Sequence, residues 1–296
     1  MTSRETQPDA TAARHTLTVD GRRRTYLSVN EPDGATPSAP VDVLLFFHGS
    51  LQSGAVARRF THHTFESLRN TAVVYPNGVH NHFNDGRRVL PEKARELGID
   101  DVAFTRAIVD DLRGRHTVGR VFAAGFSNGG HMVQRLLIDA PGLLDGAALI
   151  AATVPAADNR AFTRHLGEYV PTPVLAIHGT ADPVVSYDGG PVNLGGITRG
   201  EMLSAPKSAA FFARLNGHGA DADPAPARPQ LEGADAATVQ RWDAPAHPPV
   251  ELWTIGGMGH LVPSGVESPD PRLGETATDL TAADIIARFF GLSTRP

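Results

Sequence analysis

The chain of 296 residues contains no cysteine. That absence excludes disulfide staples, thiolate metal sites and a cysteine nucleophile. Long apolar runs are missing too, since none approaches the roughly 20 residues needed to cross a bilayer. Nor does one sign of charge dominate. The 27 Lys and Arg stand against 32 Asp and Glu, a net charge of −5, too mild to indicate a nucleic-acid or membrane-surface binder. The opening MTSRETQPDATA has no apolar segment of the kind that marks a signal peptide. A cytoplasmic location is therefore expected, with a secreted one as the alternative if a leader has been removed. What is present, 41% hydrophobic and 20% charged residues, is the composition of an ordinary globular protein.

Met1 to Ala13 reads as a disordered tail, and residues 14–296 as one domain, a size that suits a single α/β unit. His15 to Val29 alternates on either side of Asp20-Gly21, a hairpin dipeptide. Short apolar runs follow at Val41–Phe47, Thr71–Tyr75, Val121–Ala124, Ala147–Ala151, Val174–Ile177 and Val250–Ile255. Such runs suit strands buried on both faces. Between them lie helical stretches at Asp101–Arg115, Gly129–Asp139, Lys207–Asn216 and Ala282–Phe290, the last preceded by a capping-box pattern at Thr281 to Asp284. Alternating buried strands and helices predict an α/β fold with a mostly parallel central sheet and helices on both faces. Residues 77–98 read as a polar surface loop, and residues 217–246 as an irregular insertion.

The segment VFAAGFSNGGHMVQRLL sets Gly125-Phe126-Ser127-Asn128-Gly129 between a strand and a helix. In a chain with 30 glycines the bare Gly-x-Ser-x-Gly pattern is a weak signal, and a Gly-rich helix cap would also produce it. The strand-before, helix-after context makes it a nucleophile elbow, with the Ser127 hydroxyl presented on a sharp turn. A serine hydroxyl needs a base, and the base needs an orienting carboxylate. On such a sheet the chain order is Ser, acid, His. Asp182 lies just past the strand VLAI, where catalytic groups of open α/β sheets gather. Its bland reading is a turn aspartate before Pro183. Of the three histidines downstream, only His260, closing Gly256-Gly257-Met258-Gly259-His260, follows a strand directly. His247 precedes that strand and His218 has none. Ser127, Asp182 and His260 are therefore the candidate catalytic residues.

Acyl transfer also needs donors for the developing oxyanion. One is expected from the N–H of Asn128 and a second from the loop after an early strand. Here that loop is His48-Gly49-Ser50-Leu51-Gln52, so Ser50 and Leu51 are candidate donors. His48, Gln52 and Leu261 are candidates for touching substrate.

In this order, HGSLQS, YPNG, DDVAF, GFSNGG, HGTADPVV and GGMGH resemble the polyhydroxybutyrate depolymerase and feruloyl esterase group of the α/β-hydrolase superfamily. The blocks run from about Val41 to Pro263. The resemblance implies an α/β-hydrolase fold and a serine carboxylic-ester hydrolase working through an acyl-enzyme without metal or organic cofactor. Its substrates would be hydroxyalkanoate oligomers, hydroxycinnamoyl (feruloyl) esters or acetylated sugars, and the modest chain length without a clear lid segment adds the expectation of small to medium acyl groups. Where the group often carries cysteines, this chain has Ser50 and His218, which fits a reducing compartment. Where the group often carries Trp after the last histidine, this chain has Leu261. No polymer-binding module accompanies these blocks, which argues against solid polyester.

The same three residues would equally serve an acyltransferase or an amidase. A catalytically silent binding protein on the same scaffold is a further alternative, though such proteins usually lack part of the triad. A metal site at His62-His63, His80, His82 and Asp85 matches no firm ligand spacing. No nucleic-acid or membrane partner is expected, and the oligomeric state is left open.

Overall fold

The computed structural model describes residues 11–32, 40–219, 224–229, 237–267 and 270–295. Strands β1 (Ala13–Val19) and β2 (Arg22–Val29) pair antiparallel across Asp20-Gly21. Both turn residues have positive φ, 49° and 71°, as a tight hairpin requires. Of the expected tail, residues 1–10 lie outside the described residues, and Ala13 already opens β1.

The chain continues through β3 (Val41–Phe47), α1 (Gly54–Phe60), β4 (Leu68–Arg69), β5 (Thr71–Pro76), α2 (Lys93–Glu96) and α3 (Asp101–Arg115). Then come β6 (Val118–Phe126), α4 (Asn128–Asp139), β7 (Gly146–Ile150), β8 (Val174–Gly179) and the hairpin of β9 (Gly190–Leu194) and β10 (Ile197–Met202). Last are α5 (Ala205–Leu215), β11 (Ala225–Pro229), β12 (Ala237–Trp242), β13 (Val250–Ile255), α6 (Ala282–Phe290) and β14 (Ser293–Thr294).

Ten of these strands form one sheet in the order β1-β2-β5-β3-β6-β7-β8-β13-β12-β11. Neighbours from β5 to β13 run parallel, and the strands flanking them at either edge pair antiparallel. This is the expected α/β architecture. Period-two alternation divides the core. From β3, Val43, Leu45 and Phe47 join Ile108 of α3, Leu136 of α4 and Phe212 of α5 on one face. Leu44 and Phe46 join Ala57 of α1 and Ile286 of α6 on the other. The capping pattern before α6 forms: Thr281 Oγ1 accepts the Asp284 N–H at 3.1 Å.

Two expectations are corrected. Residues 217–246 are not simply irregular, because their described part supplies β11 and β12; residues 220–223 and 230–236 lie outside the described residues. Ala237 and Val239 are buried opposite Ile255 and Trp253, a short alternation lost to the eye among Ala, Pro and Asp. Residues 77–98 are a surface loop only in part, since every residue from His82 to Arg87 is buried. Their polarity is matched internally. The Asn84 N–H donates to Asp101 at 2.7 Å, and Asp101 in turn holds the buried Arg24 at 2.5 Å.

Removing one partner of a buried ion pair leaves an uncompensated charge, at a cost of about 3–5 kcal/mol. Asp101→Ala is expected to lose stability of that order, read from urea denaturation. An unchanged midpoint would show that Arg24 finds water or another partner.

Candidate active site

The carboxyl ends of the parallel strands lie along one rim of the sheet, and the site is built there. β6 ends in Phe126, and α4 begins at Asn128. Ser127 between them has φ 53° and ψ −117°, a conformation a non-glycine residue rarely adopts. The Ser127 N–H donates to Ile150 O at 3.0 Å, and its own carbonyl accepts the His131 N–H at 3.0 Å. So tight a turn leaves no room for neighbouring side chains. A Cβ on Gly125 would stand 2.3 Å from the Gly129 carbonyl oxygen, and one on Gly129 2.0 Å from that of Phe47.

The structure brings the three separated residues together. His260 Nε2 lies 2.9 Å from Ser127 Oγ, and its Nδ1 lies 2.8 Å from Asp182 Oδ2. With Nδ1–H donating to the carboxylate, Nε2 is left to accept the serine proton. His260 is buried, its ring set against Phe126 at 4.9 Å between centroids. Its N–H donates to Leu273 O at 2.7 Å, which fixes the loop after β13. The other oxygen of Asp182 accepts the N–H groups of Val184 and Val185, each at 2.8 Å. Burial would push the Asp182 carboxyl up, but the hydrogen bond and charge of His260, with His178 and the Val185 N–H, hold it below the ordinary carboxylate value.

Asn128, the first residue of α4, has a backbone N–H with no acceptor inside the helix. Opposite the turn, β3 delivers His48-Gly49-Ser50. Leu51 is corrected as a candidate donor, because its N–H is already given to Asn81 O at 3.0 Å. Its side chain is instead 72% exposed, on a backbone with φ 65°. That leaves the N–H of Ser50 as this loop's candidate donor.

His48 is also corrected as a substrate contact. It is fully buried, with Nε2 accepting the Gly78 N–H at 2.9 Å and Nδ1 2.8 Å from Gly49 O. Burial pushes its pKa down to about 4, so it stands as a neutral brace for the loop. Gln52 turns its Oε1 back to the Gly49 N–H at 3.1 Å. Leu261 is buried, so it offers no open platform. The residues weighed for a metal do not converge: Asp85 is paired with Arg87, and among the described residues no group of three His, Cys, Asp or Glu could hold an ion. No helix among the described residues is long and apolar enough to cross a membrane.

Sequence reasoning missed the polar layer beneath the turn. Asn128 Nδ2 donates to Asp85 Oδ2 at 2.6 Å, Arg87 grips the same carboxylate, and His131 Nε2 sits 3.0 Å from Thr153 O. Burial pushes His131 down to about 3. A signal existed in Asn84-Asp85-Gly86-Arg87, an acid and a base two residues apart, but nothing in the local pattern marked it as buried.

The profile of the phospholipase/carboxylesterase family matches residues 34–192, more than half of the chain. The chain is 30% identical over 301 residues to a protein of Nocardia uniformis subsp. tsuyamanensis named "Putative esterase NocK", covering 95% of this chain and 83% of that one. It is 28% identical over 203 residues to feruloyl esterase B of Piromyces equi, covering 64% of this chain and 35% of the relative. Among solved structures it resembles an acetyl xylan esterase from Aspergillus awamori, with TM-score 0.59 and 13% identity over 94% of this chain and 99% of that one. A ferulic acid esterase from Anaeromyces mucronatus superposes with TM-score 0.52 and 14% identity, over 88% and 87% of the two chains. These two structural likenesses bear on the fold alone. The chain belongs to the phospholipase/carboxylesterase family, within the esterase group of the α/β-hydrolase superfamily. It is an ester hydrolase acting on small-molecule esters.

Two outcomes follow from the geometry. Gly129→Ala is expected to lower the melting temperature by several degrees and abolish activity, since the new methyl meets the Phe47 carbonyl; an unperturbed variant would show that the turn can relax. Because Asp182 is held below its ordinary value of 3.8, its stabilising contribution is fully present above that value and is lost as pH falls through the depressed one. The stability gap between the wild type and Asp182→Asn should therefore close only in strongly acidic solution. A gap that closed near neutrality would contradict this.

Proposed function

We propose that the chain hydrolyses carboxylic esters through a covalent acyl-enzyme on Ser127. The observation that carries this reading is the two-sided engagement of His260, with Ser127 Oγ at 2.9 Å and Asp182 at 2.8 Å. His260 takes the serine proton as Ser127 Oγ attacks the ester carbonyl, and Asp182 holds the ring in the required tautomer and stabilises the imidazolium. The N–H groups of Asn128 and Ser50 receive the oxyanion. His260 then returns the proton to the departing alcohol, and water attacks the acyl-enzyme by the reverse route.

The substrates we propose are hydroxyalkanoate oligomers, hydroxycinnamoyl esters and other esters of small to medium acyl groups. Support comes from the motif blocks and from the relative named as a feruloyl esterase. The deciding comparison is p-nitrophenyl butyrate hydrolysis by the wild type and Ser127→Ala. A fall of kcat by about 10⁴-fold or more, with the melting temperature kept, is expected. Equal rates in the two proteins would remove Ser127 from the mechanism. Asp182→Asn should lower kcat by about 10⁴-fold through the wrong histidine tautomer. Equal rates on butyrate and palmitate esters would refute the chain-length preference.

A further inference from the structure

Every hydrogen-bonding group of the Asn128 side chain that has a partner is used on the loop beneath α4. Its Oδ1 accepts the Phe83 N–H at 2.9 Å, while Nδ2 donates to Phe83 O at 3.0 Å and to Asp85 Oδ2 at 2.6 Å. Asn128 and Asp85 are both buried, at 1% and 0% exposure. The two bonds to Phe83 imitate a rung of a β-ladder and would hold the loop by themselves. The third goes to a carboxylate, and charge-assisted bonds are the stronger kind. It also removes an ambiguity, because an ionised oxygen accepts only, so the amide must point its nitrogen at Asp85 and its oxygen at the Phe83 N–H.

Asp85 is itself over-determined. Arg87 reaches it through Nε at 3.1 Å and Nη2 at 2.5 Å, and the Arg87 N–H adds a bond at 2.9 Å. Burial would raise its pKa, yet the charge and hydrogen bonds of Arg87, helped by His131, hold it down to about 2. Arg95 binds the carbonyls of both Asp85 and Arg87, and Arg135 from α4 binds the Asn84 carbonyl. A bare carboxylate here would repel an oxyanion forming at the start of α4. The guanidinium of Arg87, itself only 3% exposed, cancels that repulsion and leaves the hydrogen bond.

From this juxtaposition we infer that Asp85 is a positioning residue for ester hydrolysis: it locks the Asn128 side chain and so aims the Asn128 N–H at the acyl oxygen, while Arg87 neutralises its charge. The inference rests on the reading that Asn128 is an oxyanion donor in a Ser127 mechanism. It predicts a defect in the transition state and not in substrate binding, because the side chain touches no substrate.

The test measures kcat and KM for p-nitrophenyl butyrate in Asp85→Asn and Asn128→Ala, per active site titrated with a fluorophosphonate, beside Ser127→Ala, whose rate is taken per protein because it has no serine to titrate. In both loop variants kcat is expected to fall about 10- to 100-fold, short of or equal to the loss of a whole oxyanion donor, with KM within about threefold. Affinity for a butylboronic acid, whose adduct is tetrahedral, should fall with kcat. Asn128→Ala leaves the Asp85–Arg87 pair intact and removes the whole side-chain lock, so wild-type kcat in that variant overturns the inference even if Asp85→Asn does not fold. Wild-type kcat per titrated site in the loop variants, or a change confined to KM, overturns the inference while an inactive Ser127→Ala leaves the esterase mechanism standing. An active Ser127→Ala would bring down that mechanism, and the inference with it.

Discussion

The site depends on one backbone turn. Ser127 is held at φ 53° and ψ −117°, a conformation that costs on the order of 1–3 kcal/mol outside glycine. It persists because the surroundings over-determine it. The strand before it is pinned in a parallel sheet, its N–H is taken by the end of β7, and its carbonyl starts the first turn of α4. Gly125 and Gly129 let the helix close onto β3 with no atom between. Strain at this point is what projects a hydroxyl beyond the rim of the sheet and leaves a helix N-terminus behind it.

Of the histidines buried among the described residues, His48, His131, His178 and His260 sit in environments that divide the labour. Burial pushes His48 to about 4 and His131 to about 3, and it lowers His178 as well. All three therefore stay neutral at physiological pH and act as hydrogen-bonding struts. His178 gives the clearest case: its Nε2 lies 2.8 Å from the Val185 carbonyl, holding the loop whose N–H groups serve Asp182. His260 alone meets a carboxylate at 2.8 Å and a hydroxyl at 2.9 Å. Neutral neighbours suit the mechanism proposed, since a permanent positive charge there would oppose the imidazolium it requires.

Much of this was legible in the sequence, for reasons that can be named. Strands buried on both faces appear as short, largely apolar runs, so β3, β5, β6, β7, β8 and β13 were visible without any partner. The positions of Ser127, Asp182 and His260 each follow the end of such a run, and chain order did the rest. Leu51 and His48 were misread because a loop sequence does not say which N–H groups are already occupied; the bond from Leu51 to Asn81 joins residues from two separate loops. The hairpin of β9 and β10 was missed because its strands are short and only Val192, Arg199 and Met202 are buried among their described side chains, too few to show as an apolar alternation. The burial of His82 to Arg87 could not be read at all, since polarity predicts exposure unless the partners are known.

That misreading has a physical lesson. A buried charge is poor evidence of stability, because desolvation offsets most of what pairing returns. An apolar loop of the same shape would pack beneath α4 at less cost. It could not, however, discriminate between the two ends of a side-chain amide, and the first turn of α4 would then be held by packing alone, which tolerates small rotations. Arg24, Asp101, Asp85, Arg87 and Arg135 instead fix the loop through directional bonds to three separate elements. Oxyanion stabilisation depends steeply on donor direction and distance, whereas stability depends on total burial. Polar burial below the Ser127 turn therefore fits a device for angular precision in the mechanism proposed.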